Sequence, residues 1–216
     1  MLFSKCRMVF KGSTHSPAMI TGKEKRPNVR TDLPGEKSKK IIDNDTHYLA
    51  TTTKASPAVV KHAKNIVFED MDGNIFFDFT SGIGVTNTGH CHPRVVKAIQ
   101  EQAEKVLHFA GTDFYYDTQV NLAKRLGEIT PGIFDKKTFF GNSGAEAVEA
   151  AIKLSRWSSQ RKFIMGFMGA FHGRTMGALG LTASKIVQKQ RFFPWMPGVV
   201  HAPFPNPYRN VFGIDG

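Results

Sequence analysis

A chain of 216 residues with 41% hydrophobic composition can bury a core of ordinary size, as one large domain or one and a half small ones. Its net charge of +11 invites a nucleic-acid partner, but residues 1–42 hold ten Lys or Arg against three acids, which leaves only +4 on the remaining 174 residues. Such a basic leader reads as a solvated arm, and no apolar run approaches the ~18–20 residues of a membrane-spanning helix, so neither nucleic acid nor membrane is expected as a partner.

Residues 1–22 carry no acidic side chain and are rich in Ser, Thr and Lys, which permits a mitochondrial transit peptide. A flexible extension or an over-long start, with Met8 or Met19 as alternative initiators, fits that composition better. Cys6 and Cys91 lack C-x-x-C spacing, which argues against a disulfide framework or zinc site and makes the reducing cytoplasm the default, with the mitochondrial matrix as the alternative. The turn-rich stretch 25–36 reads as an extended arm. Ile66–Asp70 and Asn74–Phe79 flank Met71-Asp72-Gly73, and Asp-Gly between two β-prone runs predicts a hairpin. A helix is expected after His92-Pro93, where Val95, Val96, Ile99, Ala103, Val106 and Leu107 recur at three and four residues. Another is expected over 118–128, with Pro131-Gly132 as its stop. Alternation follows: a strand near Thr138–Phe140, a helix over 144–158, a strand at Phe163–Phe167, a helix after Arg174 and a strand at Val199–Ala202. That order predicts an α/β sheet covered on both faces.

Ser143 stands at the start of the 144–158 helix with Glu146 three places on, the pattern of a capping box. A strand, tight turn and helix N-terminus also make an anion site, because free N–H groups and the helix dipole converge there. Gly144 and Ala145 are small enough to let a phosphate approach the backbone. Gly169-Ala170-Phe171-His172-Gly173-Arg174-Thr175 follows the next strand, and Gly82-Ile83-Gly84-Val85 through Gly89-His90-Cys91-His92-Pro93 lies upstream. Gly82/Gly84 and the 177–180 region lack the context of a dinucleotide fingerprint. The adjacent His90, Cys91 and His92 lack a second ligand cluster, so no metal is expected.

The S-G-A-E-A and F-H-G-R-T blocks, with the G-I-G-V block before them, resemble the class III aminotransferases. These are fold-type-I (aspartate-aminotransferase-like) pyridoxal-phosphate enzymes that include 4-aminobutyrate, ornithine and acetylornithine aminotransferases, and archaeal-type members look most alike. The likeness runs from about Asp43 to the end. It implies a division into residues 1–42 (leader and arm), 43–110 (an N-terminal segment) and 111–216 (the first part of the large cofactor-binding domain). By resemblance Ser143, Gly144 and Ala145 hold the cofactor phosphate, Phe171 stacks on the pyridine ring and His172 touches its substituents. Arg174 grips a substrate carboxylate through its two-point fork, while Ile83 and Val85 line the substrate side. Family members are far longer, and the resemblance implies that the Schiff-base Lys lies beyond Gly216; Lys153 and Lys185 do not occupy its position. The expected activity is transfer of an amino group from an ω- or α-amino acid, such as 4-aminobutyrate or ornithine, to 2-oxoglutarate in a homodimer. These 216 residues alone are expected to be inactive. Racemase or aminomutase chemistry on the same fold is the alternative, and a basic binding module without enzymatic activity a remote one.

Overall fold

The computed structural model describes residues 26–50, 54–209 and 213. The leader composition read over residues 1–22 therefore lies outside the described residues. The chain divides into two compact units, Met1–Ala110 and Gly111–Gly216.

In the first unit the predicted hairpin forms from β2 (Val67–Asp70) and β3 (Ile75–Phe77), paired antiparallel with Phe68 opposite Phe76 and Glu69 opposite Ile75. The turn closes because Asp70 Oδ1 accepts from the amides of Asp72 (2.9 Å) and Asn74 (2.8 Å), while Gly73 supplies a φ of +85°. Phe68 and Phe76 stack with their rings 5.0 Å apart, and Ile75 is buried. A third strand, β1 (Val60–Lys64), pairs with β2 on the other side. Its V-K-H-A-K sequence carries little apolar alternation, so only the pairing reveals it.

The described part of the arm is fastened to its own chain. Asn28 and Ile75 exchange both backbone hydrogen bonds at 2.9 Å, and the buried Asn74 Oδ1 accepts from Arg30 N (2.6 Å) and Thr31 N (3.1 Å). Helix α1 (Glu36–Tyr48), which the sequence reading did not anticipate, runs through residue 42, where that reading ends the leader. Its weakly amphipathic sequence hides it, and its start is capped from a distance. Asp72 accepts from Lys37 N and Ser38 N at 2.9 and 3.0 Å, and a Cβ at Gly35 would overlap that carboxylate. After a short turn, α2 (Ser81–Gly84), helix α3 (Pro93–Lys105) begins with Pro at its first position, as expected.

The second unit opens with α4 (Asp117–Ile129) and contains α5 (Gly144–Ser159), β4 (Ile164–Phe167), α6 (Met176–Leu181) and β5 (Val199–Ala202). β4 and β5 pair in parallel, Ile164 with Val199 through Phe167 with Ala202. Met176–Leu181 packs against both strands and α5, and its residues from Gly177 to Leu181 are buried. Gly166 of β4 passes under the end of α6, where an added Cβ would meet Leu181 O at 3.1 Å. The strand expected near Thr138–Phe140 is not formed: the segment is irregular, and no neighbouring strand pairs with it among the described residues. A strand is defined by the ladder it joins, and β-propensity cannot supply the partner.

Candidate functional site

Ser143 has extended backbone dihedrals and caps α5, its Oγ accepting from Glu146 N at 3.2 Å. The reciprocal bond of the box closes one residue earlier than the sequence pattern implies. Glu146 Oε2 accepts from Asn142 N at 2.5 Å, which pins the turn leading into the helix. A serine hydroxyl has two acceptor positions and one donor, so this cap leaves the O–H of Ser143 for a ligand. The amides of Gly144 and Ala145 bond to no protein acceptor among the described residues. A Cβ placed on Gly144 would find nothing within 4 Å, so the helix start opens onto free space.

That space is a cleft of about 550 Å³, within the ~300–1,000 Å³ usual for small-molecule sites. It is lined by Gly144, Ala145 and Val148 from α5 and by the stretch from Phe171 to Thr175. The structure thus brings together five residues singled out by sequence: Gly144, Ala145, Phe171, His172 and Arg174. Ser143 adjoins them as the cap. Phe171 keeps 55% of its surface exposed at the end of the loop after β4, a position where ligands collect in open α/β sheets. Arg174 is exposed and makes no ion pair among the described residues.

The loop is held from behind. Gly169 N donates to Ala183 O (3.1 Å) and Ala183 N to Ala170 O (2.8 Å). The fully buried Thr182 accepts from His172 N at 3.0 Å and donates to Gly173 O at 2.9 Å. Gly173, at φ +132°, presses against α5, where an added Cβ would lie 2.8 Å from that of Ala145. Behind Thr182, Lys189 Nζ donates to Thr182 O at 2.8 Å and lies 4.2 Å over the Trp195 ring; burial pushes this ammonium below its usual pKa. Glu149, one helical turn beyond Ala145, accepts from Thr175 Oγ1 (2.6 Å), Gly177 N (2.9 Å) and Ala178 N (3.1 Å), all on Oε1. The Thr175 hydroxyl first, then the two amides, hold its carboxyl below the ordinary value against the opposing effect of burial.

Val148, Thr175, Glu149 and Thr182 were missed by the sequence reading. Val148 could have been found, since it sits one turn beyond Gly144 on the same helical face. Glu149 and Thr182 carry no local signal for this role, because the Thr175–Ala178 groups that Glu149 holds lie 26 to 29 residues away and the loop residues that Thr182 holds nine to ten.

Ile83 and Val85 belong to the first unit. They are 95% and 76% exposed, and Ile83 has φ +65°, an uncommon conformation for a β-branched residue. Their turn is anchored by Asp78, which accepts from Thr80 Oγ1 (2.6 Å), Thr80 N (2.7 Å) and Ser81 N (3.1 Å), with His90 Nε2 at 2.6 Å. The Thr80 hydroxyl, followed by His90, lowers the Asp78 pKa to about 2. A larger hollow of about 790 Å³ lies along α3, lined mainly by aliphatic side chains such as Val95, Ile99 and Leu107. Size alone favours it. The smaller cleft joins free helix-start amides, an aromatic face and a guanidinium, which is the chemistry of a binding site.

Comparison with known proteins agrees with this architecture. Residues 48–213 match the family model for class-III aminotransferases, and the chain belongs to that family. It is 38% identical over 192 residues to an alanine/serine racemase of Pyrococcus horikoshii, covering 88% of this chain and 40% of that protein. It is 42% identical over 159 residues to an acetylornithine aminotransferase of Methanosarcina mazei, covering 74% and 38%. Among solved structures, a taurine:2-oxoglutarate aminotransferase from Bifidobacterium kashiwanohense, in complex with PLP and glutamate, superposes with a TM-score of 0.71 at 28% identity, covering 79% of this chain and 39% of that one. The fold is therefore that of the PLP-dependent aminotransferases, and the chain spans about two fifths of the length of the curated relatives it matches.

Proposed function

We propose that this chain supplies the phosphate grip and ring platform of a pyridoxal-phosphate-dependent aminotransferase. The observation that carries the reading is the meeting of unbonded α5 amides, Phe171 and Arg174 around one cleft. The residues fit the group. Gly144 and Ala145 would donate amides to the phosphate, with the Ser143 hydroxyl beside them and the positive end of the α5 dipole behind. Phe171 would lie against the ring, with the backbone of His172 held in place by Thr182. Arg174 would orient a substrate carboxylate bidentately. When bound, the cofactor would supply the electron sink that lets a C–H bond of an amino acid ionise. The whole protein would use an amino-acid donor and a 2-oxo acid acceptor, with 4-aminobutyrate, ornithine or a similar ω-amino acid as donor, and would work as a homodimer.

The test at the site is binding. The chain should take up pyridoxal phosphate at least about tenfold more tightly than pyridoxal, which lacks the phosphate, and Gly144→Val should abolish the difference. Equal affinity for the two would overturn the phosphate grip.

A second reading, amino-acid racemisation or epimerisation, is favoured by the alanine/serine racemase already compared and by an isoleucine 2-epimerase of Lentilactobacillus buchneri, 36% identical over 180 residues. The two readings part on one requirement. With the whole protein, appearance of the opposite enantiomer of the amino acid without any 2-oxo acid would indicate racemisation, and strict dependence of product formation on the acceptor would indicate transamination.

A further inference from the structure

A helix start can hold a phosphate only at one point, whereas the ring platform stands on a separate loop. Binding a ligand that bridges the two depends on what fixes the distance between them. Glu149 is the side chain that spans α5 and the loop. Its Oε1 alone takes the Thr175 hydroxyl and the Gly177 and Ala178 amides of α6, and a Cβ at Gly177 would overlap the carboxylate, so a side chain there would displace the carboxylate from these bonds. On the loop's other side Thr182 fixes His172 and Gly173. Between these ties Gly173 rests on Ala145, the residue whose amide opens to the cleft.

We propose that Glu149 is a positioning residue that sets the spacing between the anion-binding start of α5 and the Phe171–Arg174 platform. The inference rests on the cofactor reading above for its ligand, but the tie itself belongs to the chain. Loss of the carboxylate lets Thr175 and the start of α6 lift from α5. The phosphate grip at 143–145 is retained, while the ring platform is displaced. Gln in place of Glu presents an amide oxygen where Oε1 lies and keeps all three bonds as acceptor; Ala keeps none.

The experiment compares the chain with Glu149→Ala and Glu149→Gln in two measurements. Amide hydrogen exchange reports the tie without any ligand: Glu149→Ala should speed exchange at residues 171–178 and leave 143–147 unchanged, with Glu149→Gln close to the parent. Titrations with pyridoxal phosphate and with inorganic phosphate report the consequence. Glu149→Ala should weaken the former about five- to tenfold, the scale of one aromatic contact, and leave the latter unchanged. Exchange that rises equally across both segments, or a Gln variant as impaired as Ala, would overturn the positioning role. So would unchanged pyridoxal phosphate binding in Glu149→Ala. If the parent chain binds no pyridoxal phosphate, the cofactor reading falls, and hydrogen exchange alone decides whether Glu149 holds the loop.

Discussion

Each unit carries a glycine-rich loop tied by a carboxylate, and the two ties differ in reach. Asp78 in the first unit binds residues no more than twelve positions away, Thr80, Ser81 and His90. Glu149 in the second reaches across 26 to 29 residues to another element. The local tie shapes a turn whose apolar residues Ile83 and Val85 remain exposed. The long tie holds a loop against a helix beside a largely buried α6, and the cleft residues Phe171, Arg174 and Thr175 stay open. A short-range tie preorganises a conformation, whereas a long-range one preorganises a distance. Recognition of an extended ligand needs the second.

The largest expected effect comes where the tied loop meets α5 most closely. Gly173→Val combines a positive φ with a Cβ 2.8 Å from that of Ala145, and should cost about 2–5 kcal/mol from strain and overpacking together. Both tryptophans, Trp157 and Trp195, lie in the second unit, so urea unfolding followed by their fluorescence reads this loss directly. A midpoint within error of the parent would mean that the loop does not press on α5.

A smaller change of opposite sign is expected at the local tie. Ile83 is almost fully exposed at φ +65°, so Ile83→Gly removes strain with little packing to lose and should stabilise the first unit by about 1 kcal/mol. Loss of stability in thermal unfolding would show that the Ile83 side chain is held by contacts of its own.

The smallest effect concerns acid. Asp78 is lowered from 3.8 to about 2, so its contribution is complete above pH ~4 and fades as pH falls toward 2. Glu149 is also lowered, from 4.5, so its tie is likewise present above that value and lost on acidification. Carboxyl resonances followed by NMR should give Asp78 a midpoint near 2; a midpoint at or above 3.8 would contradict its hub role.

The motifs were legible because they are local. Ser143 and Glu146 announce a helix start, Asp72-Gly73 announces a hairpin, and Phe171 follows a strand end. The resemblance they carry led to the family that residues 48–213 match. What escaped depends on partners distant in sequence. Helix α1 owes its start to Asp72, 34 and 35 residues on, and β1 shows itself only by pairing with β2. The expected strand at 138–140 failed for the converse reason: its residues suit a ladder, but no strand stands beside it among the described residues. Glu149 reads in sequence as one more polar residue on a helix, and only the folded chain sets Thr175 against it.

The central claim is that one ligand bridges the α5 start and the Phe171 ring. The most direct measurement is a chemical-shift titration of the chain with pyridoxal phosphate. The account predicts that the amides of Gly144 and Ala145 and the ring protons of Phe171 move together, along one binding curve. Shifts confined to other residues, or amides that move while the Phe171 ring stays unchanged, would contradict it.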